Sequence, residues 1–99
     1  IGGRAEILEV ENSQHEIKAD MVIEALGFEA EDIPVIFSAP ELKLSKHGTI
    51  SVNNDNFMTS IDGVFAAGDI VRGASLVVWA IKDGREAATS IDNWILNKR

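Results

Sequence analysis

The chain has 99 residues, 45% of them hydrophobic, which suits one small domain or part of a larger one and argues against disorder. Its formal net charge of −7 disfavours nucleic acid and anionic membrane surfaces as partners, because both would repel it. Since the sequence contains no cysteine, it excludes a disulfide, a thiolate nucleophile and cysteine ligands for zinc or iron–sulfur clusters within this chain. Because the chain begins with Ile1 and a glycine pair rather than with Met, we expect it to be a piece of a longer protein.

The first part of the chain predicts three strands. Residues 5–11 alternate loosely between apolar and charged side chains, and residues 15–19 return after a polar turn, so the pattern predicts a β-hairpin. Residues 21–26 form a mostly apolar strand that Gly27 ends, as is typical of a strand covered on both faces. Glu24 interrupts this run and either lies at an edge or exposed face or has a functional role.

The middle of the chain predicts a loop followed by two short strands. Residues 28–44 have no clean period and contain two prolines, which indicates a connecting loop with at most a short helical turn. A turn at residues 45–48 leads into a predicted strand at 49–52. After a polar turn cluster, the small and apolar residues 64–67 predict a short buried strand.

A long helix is predicted for residues 75–96, with Ser75 as its N-cap. One face of this helix carries apolar and small residues at spacings of three and four: Val77, Ile81, Gly84, Ala88, Ile91 and Ile95. We expect it to pack close to a sheet, with Trp94 near the packing face, because small residues keep this face narrow: Ala80, Gly84, Ala87 and Ala88. Gly84 inside the helix costs about 1 kcal/mol relative to alanine, and either close helix–sheet packing or clearance for a cofactor would account for it.

The turn Ala67-Gly68-Asp69 is the candidate ligand site. Glycine lets a ligand approach the backbone, and the Asp69 carboxylate can accept a hydrogen bond from a ligand hydroxyl. The backbone N–H groups at the helix start, around residues 76–79, add donors and a partial positive charge, which can bind phosphate or a carbonyl that gains negative charge. Because a carboxylate in this place can also serve only to cap a turn, these residues alone leave both interpretations open.

Other catalytic patterns are absent from the sequence. It contains no GxGxxG phosphate loop, and its serines are not accompanied by histidine and aspartate in a recognisable order. His15 and His47 show no metal-ligand spacing, and the acidic cluster Glu29, Glu31 and Asp32 lacks the spacing of a calcium loop.

Three segments resemble a known family, and they follow one another along the chain in the family's order and spacing. The run T-S-I-D-G-V-F-A-A-G-D at residues 59–69 resembles the second FAD-binding motif of the flavoprotein oxidoreductases with two dinucleotide-binding domains. A-D-M-V-I-E-A-L-G-F at residues 19–28 resembles their crossing strand. S-L-V-V-W-A-I-K-D-G-R-E-A-A at residues 75–88 is similar to the small (beta) subunit family of NADPH-dependent glutamate synthase.

The resemblance implies a mixed α/β fold and a division into two parts. Residues 1–26 would end the NAD(P)H-binding domain, and residues 27–99 would form an incomplete C-terminal segment of the FAD-binding domain. The hairpin, the crossing strand, the FAD-domain strands and the long C-terminal helix would follow one another along the chain. The FAD-domain strands would join a parallel sheet only in the intact protein.

The resemblance also assigns cofactor-binding roles to six residues: Gly27, Ala67, Gly68, Asp69, Val78 and Trp79. Asp69 would bind a hydroxyl of the ribityl chain of FAD, and Gly68 would let that chain pass. The N–H groups of Val78 and Trp79 would face the flavin pyrimidine edge, where the helix dipole stabilises negative charge on reduced flavin. Gly27 would lie near the domain junction, close to the cofactor. No catalytic side chain and no metal ligand is implied.

For a parent protein, the resemblance implies a cytoplasmic enzyme that passes a hydride from NADPH to FAD. Electrons would then move through iron–sulfur clusters, held in regions absent here, to the glutamate synthase large subunit, where 2-oxoglutarate and glutamine yield glutamate. The first FAD motif, the NADPH loop and the cluster cysteines would lie before Ile1, so we expect this chain to be inactive alone and to bind FAD weakly or not at all.

Two alternatives stay open. The chain could be a non-catalytic interaction or oligomerisation module derived from such a flavoprotein, or a segment of a related transhydrogenase or pyrimidine-reducing flavoprotein with another electron acceptor. In either case we expect exposed apolar surface, and therefore self-association of the isolated chain.

Overall fold

The computed structural model describes residues 6–98. Within this range the regular elements are three helices, α1 (Ile33–Ile36), α2 (Asp69–Arg72) and α3 (Val77–Asn97). Residues 30–98 form the folded body, while every residue from 6 to 29 is exposed. None of the described helices is both long and apolar enough to cross a membrane.

The predicted hairpin and crossing strand do not form in the described residues. Residues 6–31 contain no strand, and Ala5 lies outside the described range. Their apolar side chains are in water: Ile7 is 97% exposed and Leu26 is 94% exposed. An isolated two-stranded hairpin is at best marginally stable in water, and a crossing strand needs neighbours that take its backbone hydrogen bonds. Residues 30–98 provide no such neighbour, which corrects the prediction for this chain by itself.

The strands predicted at residues 49–52 and 64–67 are reduced to isolated antiparallel bridges. Each bridge joins the predicted strand to residues just before it, Leu44 to Ile50 and Met58 to Phe65. In the second pair, the N–H of Thr59 donates to the carbonyl of Val64 at 2.8 Å. The predicted helical turn in the loop 28–44 is confirmed as α1, whose first turn tolerates Pro34 because the N–H groups there need no intrahelical partner.

The long C-terminal helix is confirmed as α3, and the predicted packing of Ala80, Ala87 and Trp94 is also confirmed. However, α3 packs through a stripe that is one residue away from the predicted apolar stripe. Its buried and half-buried residues form a stripe with spacings of three and four: Ala80, Asp83, Ala87, Ser90 and Trp94. At 3.6 residues per turn, this stripe lies about 100° around the helix from the predicted one. The predicted stripe stays in water, with Val77 71% and Ile81 58% exposed. Small alanines let the loops approach α3 closely, whereas the described residues contain no sheet that could cover the larger apolar side chains.

The core of the described residues is small. Its buried apolar side chains are Leu42, Ile50 and Ala87. The radius of gyration is 18.7 Å, whereas a compact domain of this length has about 13 Å. The chain therefore leaves much apolar surface in water, both on α3 and on residues 21–28.

The Asp62-Gly63 turn packs beneath the C-terminal part of α3. The Trp94 ring meets Phe65 edge to face, with centroids 6.3 Å apart, and Lys98 Nζ lies 5.0 Å from the centroid of the same indole. A Cβ added at Gly63 would lie 2.8 Å from two ring carbons of Trp94, and the φ of Gly63 is +76°. Both the backbone conformation and the close indole therefore require glycine at this position.

We predict that Gly63→Ala lowers the free energy of unfolding by about 1–3 kcal/mol, because the added methyl is strained in φ and overlaps Trp94. Urea unfolding followed by far-UV circular dichroism measures this change. Gly84→Ala is the matched control: a Cβ there meets no heavy atom within 4 Å in the described residues. It should raise the stability by about 0.5–1 kcal/mol through helix propensity. Equal effects of the two substitutions would contradict this packing.

Candidate functional site

The turn at residues 67–69 lies where α2 begins and where the chain meets α3. Gly68 is buried and is the N-cap of α2, with φ +79°. Its carbonyl accepts the N–H groups of Val71 at 3.0 Å and Arg72 at 2.9 Å. A Cβ at Gly68 would lie 3.9 Å from that of Ala80, an ordinary contact. The positive φ, rather than lack of space within this chain, is therefore what calls for glycine.

The Asp69 carboxylate and the start of α3 lie next to each other. Asp69 is exposed, and Ser75 Oγ donates to Asp69 Oδ1 at 3.4 Å. Ser75 is therefore not the N-cap, which corrects the prediction: Leu76 holds that position, and among residues 6–98 no side chain caps it. The first turn of α3 also contains no acidic residue. Within residues 6–98, the start of α3 therefore has no side-chain cap, and the Asp69 carboxylate is a negative charge beside it.

A half-open groove of about 740 Å³ runs past Asp69. Three segments line it, residues 26–31, residues 47–49 and the four residues Asp69, Ile70, Gly73 and Ala74. The groove has the size of a small-molecule site, for which about 300–1,000 Å³ is typical. The N–H of Ile50 donates to the carbonyl of Ile70 at 2.8 Å, and this bond holds the second segment beside the third.

The structure brings two of the six predicted cofactor residues, Gly27 and Asp69, into this groove. Ala67 is half-buried and Gly68 is buried, and neither of them lines the groove. Val78 and Trp79 also lie outside it, on the first turn of α3, and are 60% and 44% exposed. The N–H of Trp79 donates to the carbonyl of Leu76 at 3.0 Å.

Sequence reasoning missed the wall formed by residues 47–49, which it interpreted as the end of a turn and the start of a strand. A turn it is: the N–H of Gly48 donates to the carbonyl of Ser45 at 3.1 Å. Its place beside Asp69 depends on the tertiary bond from Ile50 to Ile70, for which no local sequence pattern exists. The lining adds the carboxylates of Glu29 and Glu31, so the groove has an acidic rim.

Sequence reasoning also missed an ion pair that joins α2 to α3. Arg72 Nε lies 2.6 Å from Asp83 Oδ2, and Arg72 Nη2 lies 2.7 Å from Asp83 Oδ1. Asp83 is 3% exposed, and the Arg72 guanidinium also lies 4.9 Å from the ring centroid of Trp79. The hydrogen bond from Arg72 holds the pKa of Asp83 below its ordinary value, and the same bond raises the pKa of Arg72. The sequence signal that could have indicated this pair is Asp83, a charged residue that lies between Ala80 and Ala87 on one face of the predicted helix.

We predict that this pair makes stability depend on pH in acid. Because the folded pKa of Asp83 is lowered, its contribution is fully present above the unfolded pKa of about 3.9 and is lost as the pH falls through the folded pKa. The urea concentration at the unfolding midpoint should therefore decrease once the pH drops below about 4, and a series of unfolding curves from neutral to acidic pH measures this. The Asp83→Asn variant should show a shallower fall, since it lacks this titration. An identical pH dependence of the two proteins would contradict the assignment.

Comparison with known proteins identifies the class to which this fold and site belong. Residues 2–84 match the family model of the pyridine nucleotide-disulphide oxidoreductases, and the chain belongs to that family. The family implies flavin and nicotinamide cofactors, and this confirms the resemblance seen in the sequence motifs.

Individual relatives narrow the likeness. The chain is 61% identical over 82 residues to the glutamate synthase (NADPH) small chain of Azospirillum brasilense, covering 83% of this chain and 17% of that protein. It is 50% identical over 86 residues to a putative glutamate synthase (NADPH) small chain of Cereibacter sphaeroides, covering 87% and 21%. It is 44% identical over 95 residues to the glutamate synthase (NADPH) small chain of Escherichia coli K12, covering 93% of this chain and 20% of that protein. The chain thus spans about a fifth of the length of these relatives.

Proposed function

We propose that this chain supplies one wall of the FAD site of a flavoprotein oxidoreductase that passes electrons from NADPH through FAD to a partner in glutamate synthesis. The observation that carries the proposal is the exposed Asp69 carboxylate, placed beside both a ligand-sized groove and the uncapped start of α3. The printed names of the relatives, glutamate synthase (NADPH) small chains, supply the reaction class.

The residues present fit FAD. A ribityl chain carries hydroxyl donors, and Asp69 offers an exposed carboxylate acceptor. A flavin ring gains negative charge on reduction, and the start of α3 offers the positive end of its dipole with no acidic residue in the first turn. The N–H of Trp79 already donates to the Leu76 carbonyl, so this residue contributes through the dipole rather than as a free donor. FAD, when bound, supplies the redox chemistry, accepting a hydride from the nicotinamide and passing electrons onward.

In this proposal the chain orients the cofactor and tunes its charge. Asp69 holds a ribityl hydroxyl with its solvent-exposed carboxylate, which directly follows the positive-φ residue Gly68. The first turn of α3, with Val78 and Trp79, places its positive end at the flavin pyrimidine edge and favours negative charge there. Gly27 closes the groove from the side of the domain junction.

The proposed parent divides near the point where the body of this chain begins. Residues 1–26 end the NAD(P)H-binding domain, and residues 27–99 belong to the FAD-binding domain. The change from exposed chain at residues 6–29 to packed chain at residues 30–98 supports this division. Regions outside this chain supply the rest of the FAD pocket and the iron–sulfur clusters, and the glutamate synthase large subunit receives the electrons.

We predict weak or no FAD binding by the 99-residue chain alone, because the groove is half open and, in this proposal, regions outside the chain supply the rest of the pocket. A flavin absorbance titration measures it, and tight binding would contradict the proposal that the pocket is shared with other regions.

We further predict that Asp69→Ala weakens FAD binding when this chain replaces the matching segment of the Azospirillum brasilense small chain. Loss of a hydrogen bond to a charged group should lower the affinity about tenfold or more. Flavin fluorescence titration of the chimera measures this. Asp92→Ala is the control, because Asp92 is an exposed aspartate on α3, far along that helix from its start. Equal FAD affinities of the Asp69 and Asp92 variants would contradict the proposed contact between Asp69 and FAD.

The exposed stripe of α3 also predicts self-association of the isolated chain. Val77 and Ile81 are 71% and 58% exposed, and residues 21–28 add further apolar surface. Light scattering over a dilution series should show dimers that dissociate on dilution, and Ile81→Glu should shift the chain to monomer. Arg85→Glu, a charged substitution at another exposed position of α3, should leave the dimer in place. A monomer at every concentration would contradict this prediction.

A further inference from the structure

We propose that Arg72 and Asp83 form a positioning clamp, which holds α2 against α3 and so sets the direction of the Asp69 carboxylate relative to the start of α3. The consequence for flavin binding rests on the proposed function. The clamp itself is a property of the described residues and can be tested without a cofactor.

The short helix α2 cannot hold its own orientation. It has four residues, none of them buried, and its N-cap Gly68 has no side chain. A single helical turn is unfavourable in isolation because nucleation fixes several backbone angles for one hydrogen bond. Asp69 is its first residue and Arg72 its last. Whatever holds Arg72 therefore also determines where Asp69 points.

Arg72 is held by two groups of α3. Its planar guanidinium makes two parallel hydrogen bonds to Asp83, at 2.6 and 2.7 Å, and such a fork fixes direction as well as distance. The Trp79 ring lies 4.9 Å from the guanidinium carbon. A buried carboxylate is unfavourable unless it is fully paired, so Asp83, which is 3% exposed on a stripe of alanines, depends on Arg72, and the pair can fix orientation as well as contribute stability.

Other contacts leave this orientation underdetermined. The bond from Ile50 to Ile70 tethers the backbone of α2 to a loop, not to α3. Ser75 reaches Asp69 at 3.4 Å, which is long for a hydrogen bond between oxygens. Within residues 6–98, the Arg72–Asp83 pair is the ion pair that joins α2 to α3.

The chain contains a matched control on the same helix. Lys82 Nζ lies 2.6 Å from Glu86 Oε1, as short as the Arg72–Asp83 contact, but both residues belong to α3 and both side chains are about half exposed. The Glu86 charge also raises the pKa of Arg72, but the hydrogen bonds of the guanidinium go to Asp83. Glu86→Gln therefore removes a nearby carboxylate charge and leaves the two-bond fork in place.

The first experiment measures amide hydrogen exchange in the 99-residue chain. In the unsubstituted chain, the amides of Val71 and Arg72 donate to the carbonyl of Gly68, and that of Gly73 donates to the carbonyl of Asp69. In Asp83→Asn these three amides should exchange about tenfold faster or more, relative to the amides of α3. Glu86→Gln should leave them unchanged. Arg72→Lys keeps the charge but loses the fork, and it should also accelerate α2 selectively; it decides the matter if Asp83→Asn does not fold. Unchanged α2 amides, or equal acceleration throughout α3, would overturn the clamp.

The second experiment measures FAD affinity and the visible circular dichroism of the flavin in the Azospirillum brasilense chimera. Asp83→Asn should weaken binding about tenfold and change the flavin spectrum, whereas Glu86→Gln should do neither. If the unsubstituted chimera binds no FAD, the proposed function fails while the exchange experiment still decides the clamp. If α2 loosens but affinity and spectrum stay unchanged, the positioning role is overturned and the proposed function stands.

Discussion

The packing of α3 on residues 67–73 is the contact on which the site depends. Ala80 and Ala87 keep this face of the helix narrow, and a Cβ added at the buried Gly68 would lie 3.9 Å from the Cβ of Ala80. Asp83, between them, takes both bonds of the Arg72 guanidinium. Because small side chains and one charged pair share a single stripe, close approach and fixed orientation arise together. The Asp69 carboxylate and the start of α3 become neighbours as a result.

The start of α3 has no side-chain cap within residues 6–98 and no acidic residue in its first turn. Ser75 directs its hydroxyl to Asp69, and Leu76 offers no cap. Uncapped N–H groups at a helix start attract negative charge, while the neighbouring carboxylate accepts hydroxyl donors. One short segment therefore presents two opposite recognition chemistries, which is the combination that a flavin with a ribityl chain would use.

The exposed apolar surface is a consequence of the same architecture. Within residues 6–98, α3 has a narrow face that this chain covers and a wider apolar face that it does not. The extended residues 21–28 likewise carry apolar side chains in water. The chain belongs to the pyridine nucleotide-disulphide oxidoreductases and matches relatives about five times longer, and in the proposed parent both surfaces would contact other regions.

The sequence by itself determined the family and the long helix at α3, because both depend on patterns of residues close together in the chain. The ligand role of the turn at Gly68-Asp69 stays a prediction. Tertiary structure alone decided which face of α3 packs, since periodicity reports that an apolar stripe exists but not whether a partner is present to cover it. It also decided the absence of the hairpin from residues 6–31, because a strand needs a neighbour for its backbone hydrogen bonds. The Arg72–Asp83 pair joins two elements, and no local pattern encodes such a contact.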